Sequence, residues 1–379
     1  MKNIGIICEY NPFHNGHARQ LDAVRETGGV CICLMSGNYV QRGEPAVVDK
    51  WTRAKAALLC GADLVLELPV TYALRSAEGF AAGGVEILDK MGCVDGLSFG
   101  SELVDINLIM STAEALDSPA FSGYLREALA KGVSFPTARQ QALGALGLDT
   151  AALETPNSIL AVEYCKALRR KNSSITPMLL HRNGDYHGGS APSAPSASFL
   201  REQEDWTGYV PQAALRVFSG AARHTAAAGE RAWLARLRGM EESEFERLPF
   251  GSEGLWRRVL SACRTEPTIA SIVRMAKSKR YTHTRLMRML LCAYLGISEE
   301  MLMKPAPYVR VLAVNSRGQH VLRQVKKMGE LSLLHTGDRA PEGEYAALER
   351  RAADLYSLFS IPDTFAAAQE RNARIFRAP

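Results

Sequence analysis

Two histidines, His14 and His17, stand either side of Asn15-Gly16, directly behind a short apolar run that begins at Asn3. A buried strand running into a turn would deliver both imidazoles onto the start of a helix. Gly16 has no side chain, so another molecule can approach the backbone closely there. A helix N-terminus offers unpaired N–H groups and a partial positive charge, which suits a phosphate. Imidazoles at that place donate to an anion without adding a full permanent charge. The run Ile7-Cys8-Glu9-Tyr10-Asn11-Pro12-Phe13-His14-Asn15-Gly16-His17 is therefore a candidate nucleotide-binding loop, with His14 and His17 as its reactive groups. A plain turn carrying surface histidines is the competing explanation.

Further polar clusters follow other apolar runs. Ser36, Gly37 and Asn38, with Arg42 on the loop beyond, would hold a small acid beside the reacting phosphate. Asp49 opens the next helical stretch and also reads as an ordinary cap. Glu67, inside the apolar run 63–68, needs a partner to offset its desolvation, either in the core or on a substrate. Gly100 ends a run where a nucleoside could lie against the backbone. Asn157, at a helix start, suits an adenine edge or a ribose, while Arg182 and Asn183 end the next run, where Arg182 suits a phosphate or a base face. Ser196, Ser198 and Arg201 open another helix, and hydroxyls, helix N–H groups and a guanidinium together suit distal phosphates. A serine cap alone would explain the first of these.

The elements that must position these groups alternate. Short apolar runs at 4–8, 30–35, 63–68, 96–99 and 177–181 are separated by helical patterns at 17–25, 50–59, 77–91, 106–116 and 157–170. Such alternation predicts a parallel sheet with helices on both faces. Ligands bind such sheets beyond the carboxyl ends of the strands, where every cluster above falls. Residues 184–198 are rich in Gly, Ser, Ala and Pro and read as a loop. From Phe199 onward apolar residues recur at helical spacing near 222–237, 254–264, 269–277, 284–295 and 346–358, with 308–314 open between strand and helix. The expected fold is α/β: a Rossmann-like domain over 1–200 and a mainly α-helical domain over 201–379.

Charge divides along the same line. Residues 1–200 hold 17 Lys/Arg against 20 Asp/Glu, and residues 201–379 hold 28 against 20. Nine basic residues face the single acid Glu266 between Arg257 and Arg288. That segment reads either as a polyanion-binding surface, with Lys277, Lys279, Arg280, Arg285 and Arg288 as contacts, or as a solvated helical face. No apolar stretch is long enough to span a bilayer, and the start reads as neither signal nor transit peptide. The eight cysteines lie mostly in apolar segments without a Cys-x-x-Cys pair, which predicts buried reduced thiols in a cytoplasmic protein and no structural metal.

His14-Asn15-Gly16-His17 is similar to the His-x-Gly-His signature of nucleotidyltransferases, and Ser196-Ala197-Ser198-Phe199-Leu200-Arg201 to their second motif, with Pro195, Ala197 and Ser198 departing from its usual residues. The runs 9–17, Met35-Ser36-Gly37-Asn38, Gln41-Arg42-Gly43-Glu44-Pro45 and Asp49-Lys50-Trp51-Thr52-Arg53 are more specific. With Phe99-Gly100-Ser101-Glu102, Pro156-Asn157 and Lys279-Arg280-Tyr281-Thr282-His283-Thr284-Arg285, they resemble the bacterial tRNA(Met) cytidine acetate ligase family. The resemblance implies an enzyme that activates acetate with ATP, ordinarily with Mg²⁺, to acetyl-adenylate. It then acetylates N4 of the wobble cytidine in elongator tRNA(Met), releasing AMP and pyrophosphate. It implies ATP at residues 7–17, Gly100, Asn157, Arg182, Asn183, Ser198 and Arg201, with His14, His17 and Arg201 stabilising charge on the leaving pyrophosphate. It also implies acetate at Ser36, Gly37, Asn38 and Arg42. Two other readings compete. A small-molecule adenylyltransferase has no use for a polyanion surface, and a non-catalytic RNA-binding protein has none for an intact His-Asn-Gly-His.

Overall fold

The computed structural model describes residues 1–182, 195–335, 338, 342–362, 366–367 and 369–378. Five strands carry the first half: β1 (Asn3–Cys8), β2 (Val30–Ser36), β3 (Leu64–Leu68), β4 (Gly96–Ser101) and β5 (Thr176–His181). They pair in parallel in the order β3-β2-β1-β4-β5. All but β5 are buried along most of their length, hence their near-continuous apolar sequence. The chain reverses direction across the sheet after β3, so the crevice between the carboxyl ends of β1 and β4 is the switch point where such sheets take ligands.

The sheet does not stop at residue 200. β6 (Val309–Val314) pairs antiparallel with β3, and β7 (Leu333–Leu334) and β8 (Phe376–Arg377) pair with β6. The run left open at 308–314 is thus a strand, and residues beyond the expected boundary complete the sheet of the first half. β6 is buried along most of its length and so reads as a near-continuous apolar run, which periodicity alone does not separate from a buried helix start.

Predicted helices fall close to Asn15–Glu26, Lys50–Leu59, Ala77–Lys90, Ile106–Ala115 and Pro156–Arg170. Two more, Pro119–Ala130 and Phe135–Ala145, lie between β4 and β5, each opened by a serine cap and an early proline. In the second half Trp233, Phe245, Val259, Ile272 and Leu290 build a separate helical core. Tyr39 reaches into it from the first half and donates its hydroxyl to the Ala352 carbonyl at 3.1 Å. In return Tyr356 donates to the Ala46 carbonyl at 2.7 Å, so the loop after β2 is fastened to the helices. None of the eight cysteines forms a disulfide, and burial raises the thiols of Cys8, Cys31, Cys165, Cys263 and Cys292. Among the described residues no helix is long and apolar enough to cross a membrane.

Candidate active site

The helix after β1 begins at Asn15 because His14 caps it. Nδ1 of His14 accepts from Gly16 N at 3.1 Å, and Nδ1 of His17 accepts from His14 N at 3.3 Å, a reciprocal cap made by two histidines. A nitrogen that accepts carries no proton, so this network assigns the proton of each neutral ring to Nε2. The rings stack 3.6 Å apart. Tyr10 and Phe13 flank His17, and Asn15 is tied to the Gly208 and Tyr209 carbonyls. Among the described residues Nε2 of His14 is buried without a partner, a donor open to a ligand. A Cβ at Gly16 would lie 3.0 Å from the His14 ring, so the glycine also makes room for that imidazole.

Burial, and then the cations Arg182 and Arg19, lower the His14 imidazole to about 3. Burial, then His14 and Arg182, hold His17 well below its ordinary value. Both rings are therefore neutral donors near pH 7. His224, stacked on Tyr356 and lowered to about 4 by burial, behaves alike. The unfolded chain protonates all three near 6.5 while the folded chain refuses the proton, so their contribution is complete above pH 6.5 and shrinks as pH falls toward 4. The urea midpoint should drop between pH 7.5 and pH 5, and His224→Phe should flatten that slope; equal midpoints at the two pH values would contradict these neutral histidines.

Arg201 and Arg182 approach this turn from two other elements, and Asn157 and Gly100 stand at the neighbouring helix start and strand end. Arg201, on the short helix Ala197–Glu202, donates to the Asn11 carbonyl at 3.1 Å and to Ser198 Oγ at 3.2 Å. Ser196 caps that helix by accepting from Phe199 N. Arg182 follows β5, donates its N–H to the Ser101 carbonyl, and lies close enough to depress both histidines. Asn183 lies outside the described residues. Asn157 sits in the first turn of its helix, where Nδ2 donates to Glu102 Oε1 at 2.5 Å, and Thr155 holds the other Glu102 oxygen at 2.8 Å. Gly100, on β4, lies two residues before Glu102, and a Cβ there would touch no atom of the described residues nearer than 3.9 Å. A valine at Gly100 therefore fits the protein itself. It should leave the melting temperature nearly unchanged yet weaken nucleotide binding at least about tenfold, and undiminished affinity by calorimetry would remove Gly100 from the site.

On the other side of β1, Ser36 ends β2 fully buried, its hydroxyl unpartnered among the described residues. Gly37 is required by Glu67, whose Oε1 occupies the space of a Cβ. Asn38 serves the loop, accepting from Lys50 N at 2.9 Å through its side chain and from Ala46 N through its carbonyl. Arg42 is exposed and acts on the Glu9 carboxylate. Asp49 is the helix cap, accepting from Trp51 and Thr52 N–H groups and from the Thr52 hydroxyl. Such a cap contributes about 1 kcal/mol. Glu67 finds its partner in the core. Lys50 Nζ lies 2.7 Å from both of its oxygens, and Arg310, Glu349 and Glu370 complete a buried ionic cluster. Burial raises the Glu67 carboxyl to about 7 even against the pull of Lys50.

Arg53 is the residue whose role the sequence did not reveal. It is fully buried, and its guanidinium binds the carbonyls of Val48, Glu9, Ser36 and Gly37. It clamps the loops after β1 and β2 together, and each donor finds an oxygen that would otherwise be stranded. Its signal was its place in the Asp49–Arg53 run.

The basic segment divides. Lys277 caps the end of Ile269–Ala276, Thr282 opens His283–Leu295, and Lys279 and Arg280 stand exposed on the break between them. The continuous helical face that would gather Lys277 with Arg280 does not form. Arg285 binds the Phe250 carbonyl at 2.8 Å and Ser252 Oγ at 2.9 Å, while Arg288 stacks on Phe250 and reaches the Gln41 carbonyl. Arg258 and Arg264 likewise bind carbonyls at helix ends. Arg285 and Arg288 are thus spent on the protein, and Arg257, Arg274, Lys277, Lys279 and Arg280 carry the exposed charge.

A Rossmann-type sheet whose switch-point crevice holds a paired-histidine helix cap, with arginines converging from β5 and a separate short helix, defines a nucleotidyltransferase. The model of the HIGH Nucleotidyl Transferase family matches residues 1–372. The tRNA(Met) cytidine acetate ligase of Clostridium tetani is 36% identical over 364 residues, covering 88% of this chain and 90% of that protein. That of Acetivibrio thermocellus is 36% identical, covering 88% of each. A crystal structure of Thermotoga maritima TmcAL bound with alpha-thio ATP superposes over the whole of both chains, with a TM-score of 0.88 at 28% identity, and an apo form reaches 0.90 at 29%. The chain belongs to the tRNA(Met) cytidine acetate ligase family.

Proposed function

We propose that this protein binds ATP in the crevice at β1 and β4, activates acetate as acetyl-adenylate, and transfers the acetyl group to N4 of the wobble cytidine of elongator tRNA(Met). The observation that carries the reading is the meeting of two neutral imidazole donors with Arg201 and Arg182 at the switch point, in a chain whose relatives are named for this ligation. The acetate carboxylate attacks the α-phosphorus, a P–O bond to pyrophosphate breaks, and charge grows on that leaving group. His14 and His17 donate to it through Nε2, and Arg201 and Arg182 supply positive charge. Mg²⁺ accompanies the nucleotide. Acetate lies toward Ser36, whose buried hydroxyl lacks a partner among the described residues, and toward Arg42.

The mixed anhydride is reactive, so holding the cytidine amine beside it supplies most of the second step. Anticodon-loop bases can be splayed out of their stack for this at low cost. In this reading the α/β half activates and the exposed cations of the helical half carry the RNA. The test is incubation of the protein with ATP, labelled acetate and tRNA(Met), followed by nucleoside analysis. Label in N4-acetylcytidine supports the proposal. Transfer of AMP to a small metabolite, with no acetylcytidine formed, would replace it with the adenylyltransferase reading.

A further inference from the structure

We infer that Glu9 is the proton acceptor of the acyl-transfer step, an assignment that rests on the ligase reading above. The N4 lone pair attacks the acetyl carbon, the carbon–oxygen bond to AMP breaks, and AMP leaves as a phosphate monoester. The surplus N4 proton passes to the Glu9 carboxylate and from there to solvent.

The histidines cannot take that proton. Each Nδ1 already accepts a backbone N–H, and each Nε2 carries its own hydrogen. Cys8 and Tyr10 are held protonated by burial, and the Tyr10 hydroxyl lies 3.3 Å from Cys33 Sγ. Glu9 is then the carboxylate of the loop, directly behind β1. Its presence needs a reason, because a fixed negative charge works against a neighbouring triphosphate. It is not needed to satisfy Arg53, whose donors all reach carbonyls. Its hydrogen bond to the main chain, Gln41 N to Oε1 at 2.7 Å, is one that a neutral glutamine would make equally well. What a glutamine would lose is the negative charge itself, which faces Arg201, Arg53 and Arg42 and is the basic group of this loop.

The aim of the carboxylate is set from the helical half. Arg288 Nη1 donates to the Gln41 carbonyl at 3.4 Å. Gly43, with φ of 82°, presses its Cα against the Met287–Arg288 backbone, where a Cβ would lie 2.4 Å from Arg288 N. The peptide that orients Glu9 is thus seated on the helix adjoining the exposed cations Lys279 and Arg280. The groups facing Glu9 are Arg201, Arg53 and Arg42, with Tyr164 behind it. Burial raises its carboxyl despite those three cations, toward the range a general base uses.

Glu9→Gln keeps the Gln41 hydrogen bond and removes the basicity together with the charge that faces Arg201, Arg53 and Arg42. The expected result is a fall of about 10²–10⁴-fold in acetyl transfer to tRNA, well in excess of any change in acetate-dependent pyrophosphate exchange. The acidic limb of the transfer pH profile should disappear, and Glu9→Asp should restore part of the rate. Transfer near the wild-type rate in a folded Glu9→Gln variant would overturn the assignment, as would equal loss of both half-reactions. Failure of the ligase reading itself shows separately, as wild-type protein without acetate-dependent exchange.

Discussion

Replacing His17 by alanine should reduce acetate-dependent ATP–pyrophosphate exchange by about 10³-fold or more, while the melting temperature falls by no more than about 2 °C. The two magnitudes have separate origins. Nε2–H of His17 is a preorganised donor to developing charge, and loss of one such donor costs about 10²–10³ in rate. The stacked partner His14 also loses the ring that holds it, at 3.6 Å, and the acceptor for its N–H. Structurally the change removes one half of a helix cap, about 1 kcal/mol, a small part of the stability of a chain this size. Exchange at the wild-type rate would sink the assignment of the histidines to phosphate chemistry. A collapse in melting temperature would make them structural.

Reversing Lys279 and Arg280 to glutamate should lower acetyl transfer to tRNA about 100-fold or more at 0.1 M salt and leave acetyl-adenylate formation within about twofold. Both side chains are exposed on the break between Ile269–Ala276 and His283–Leu295 and so face solvent without supporting the core. Each phosphate contact removed should reduce the salt dependence of binding by about one counterion. Arg285 and Arg288 are unsuitable for this experiment, since they hold Phe250 and Gln41, and reversing them would unseat the loop beneath Glu9. Unchanged tRNA affinity in the double variant would return the segment to an ordinary solvated face.

The five parallel strands and five of the helices between them were legible because buried parallel strands read as short apolar runs and apolar residues recur at helical spacing, with Asp49 already readable as a cap. The helices Pro119–Ala130 and Phe135–Ala145 were not read. Asp49 and Glu67 also resolve into the plainer of their two sequence readings, a cap and a core ion pair. What escaped the sequence is long-range. Nothing local announces that β6 will pair with β3 some 250 positions earlier, or that Arg310, Glu349 and Glu370 will surround Lys50 and Glu67. The basic segment shows the same limit. Sequence counts charge but not geometry: Arg258 and Arg264 bind carbonyls at helix ends, while Arg285 and Arg288 bind those of Phe250 and Gln41. The site loops were readable as polar detail exceeding a turn's needs, whereas the Arg53 clamp between them needs three dimensions.

The central claim is that this chain activates acetate by adenylylation before any RNA is engaged. It is tested most directly by the exchange of labelled pyrophosphate into ATP in the absence of tRNA. The account predicts exchange that requires acetate, saturates with it, and disappears in the His17→Ala variant. Wild-type exchange that is indifferent to acetate, or that appears only when tRNA is added, would contradict it.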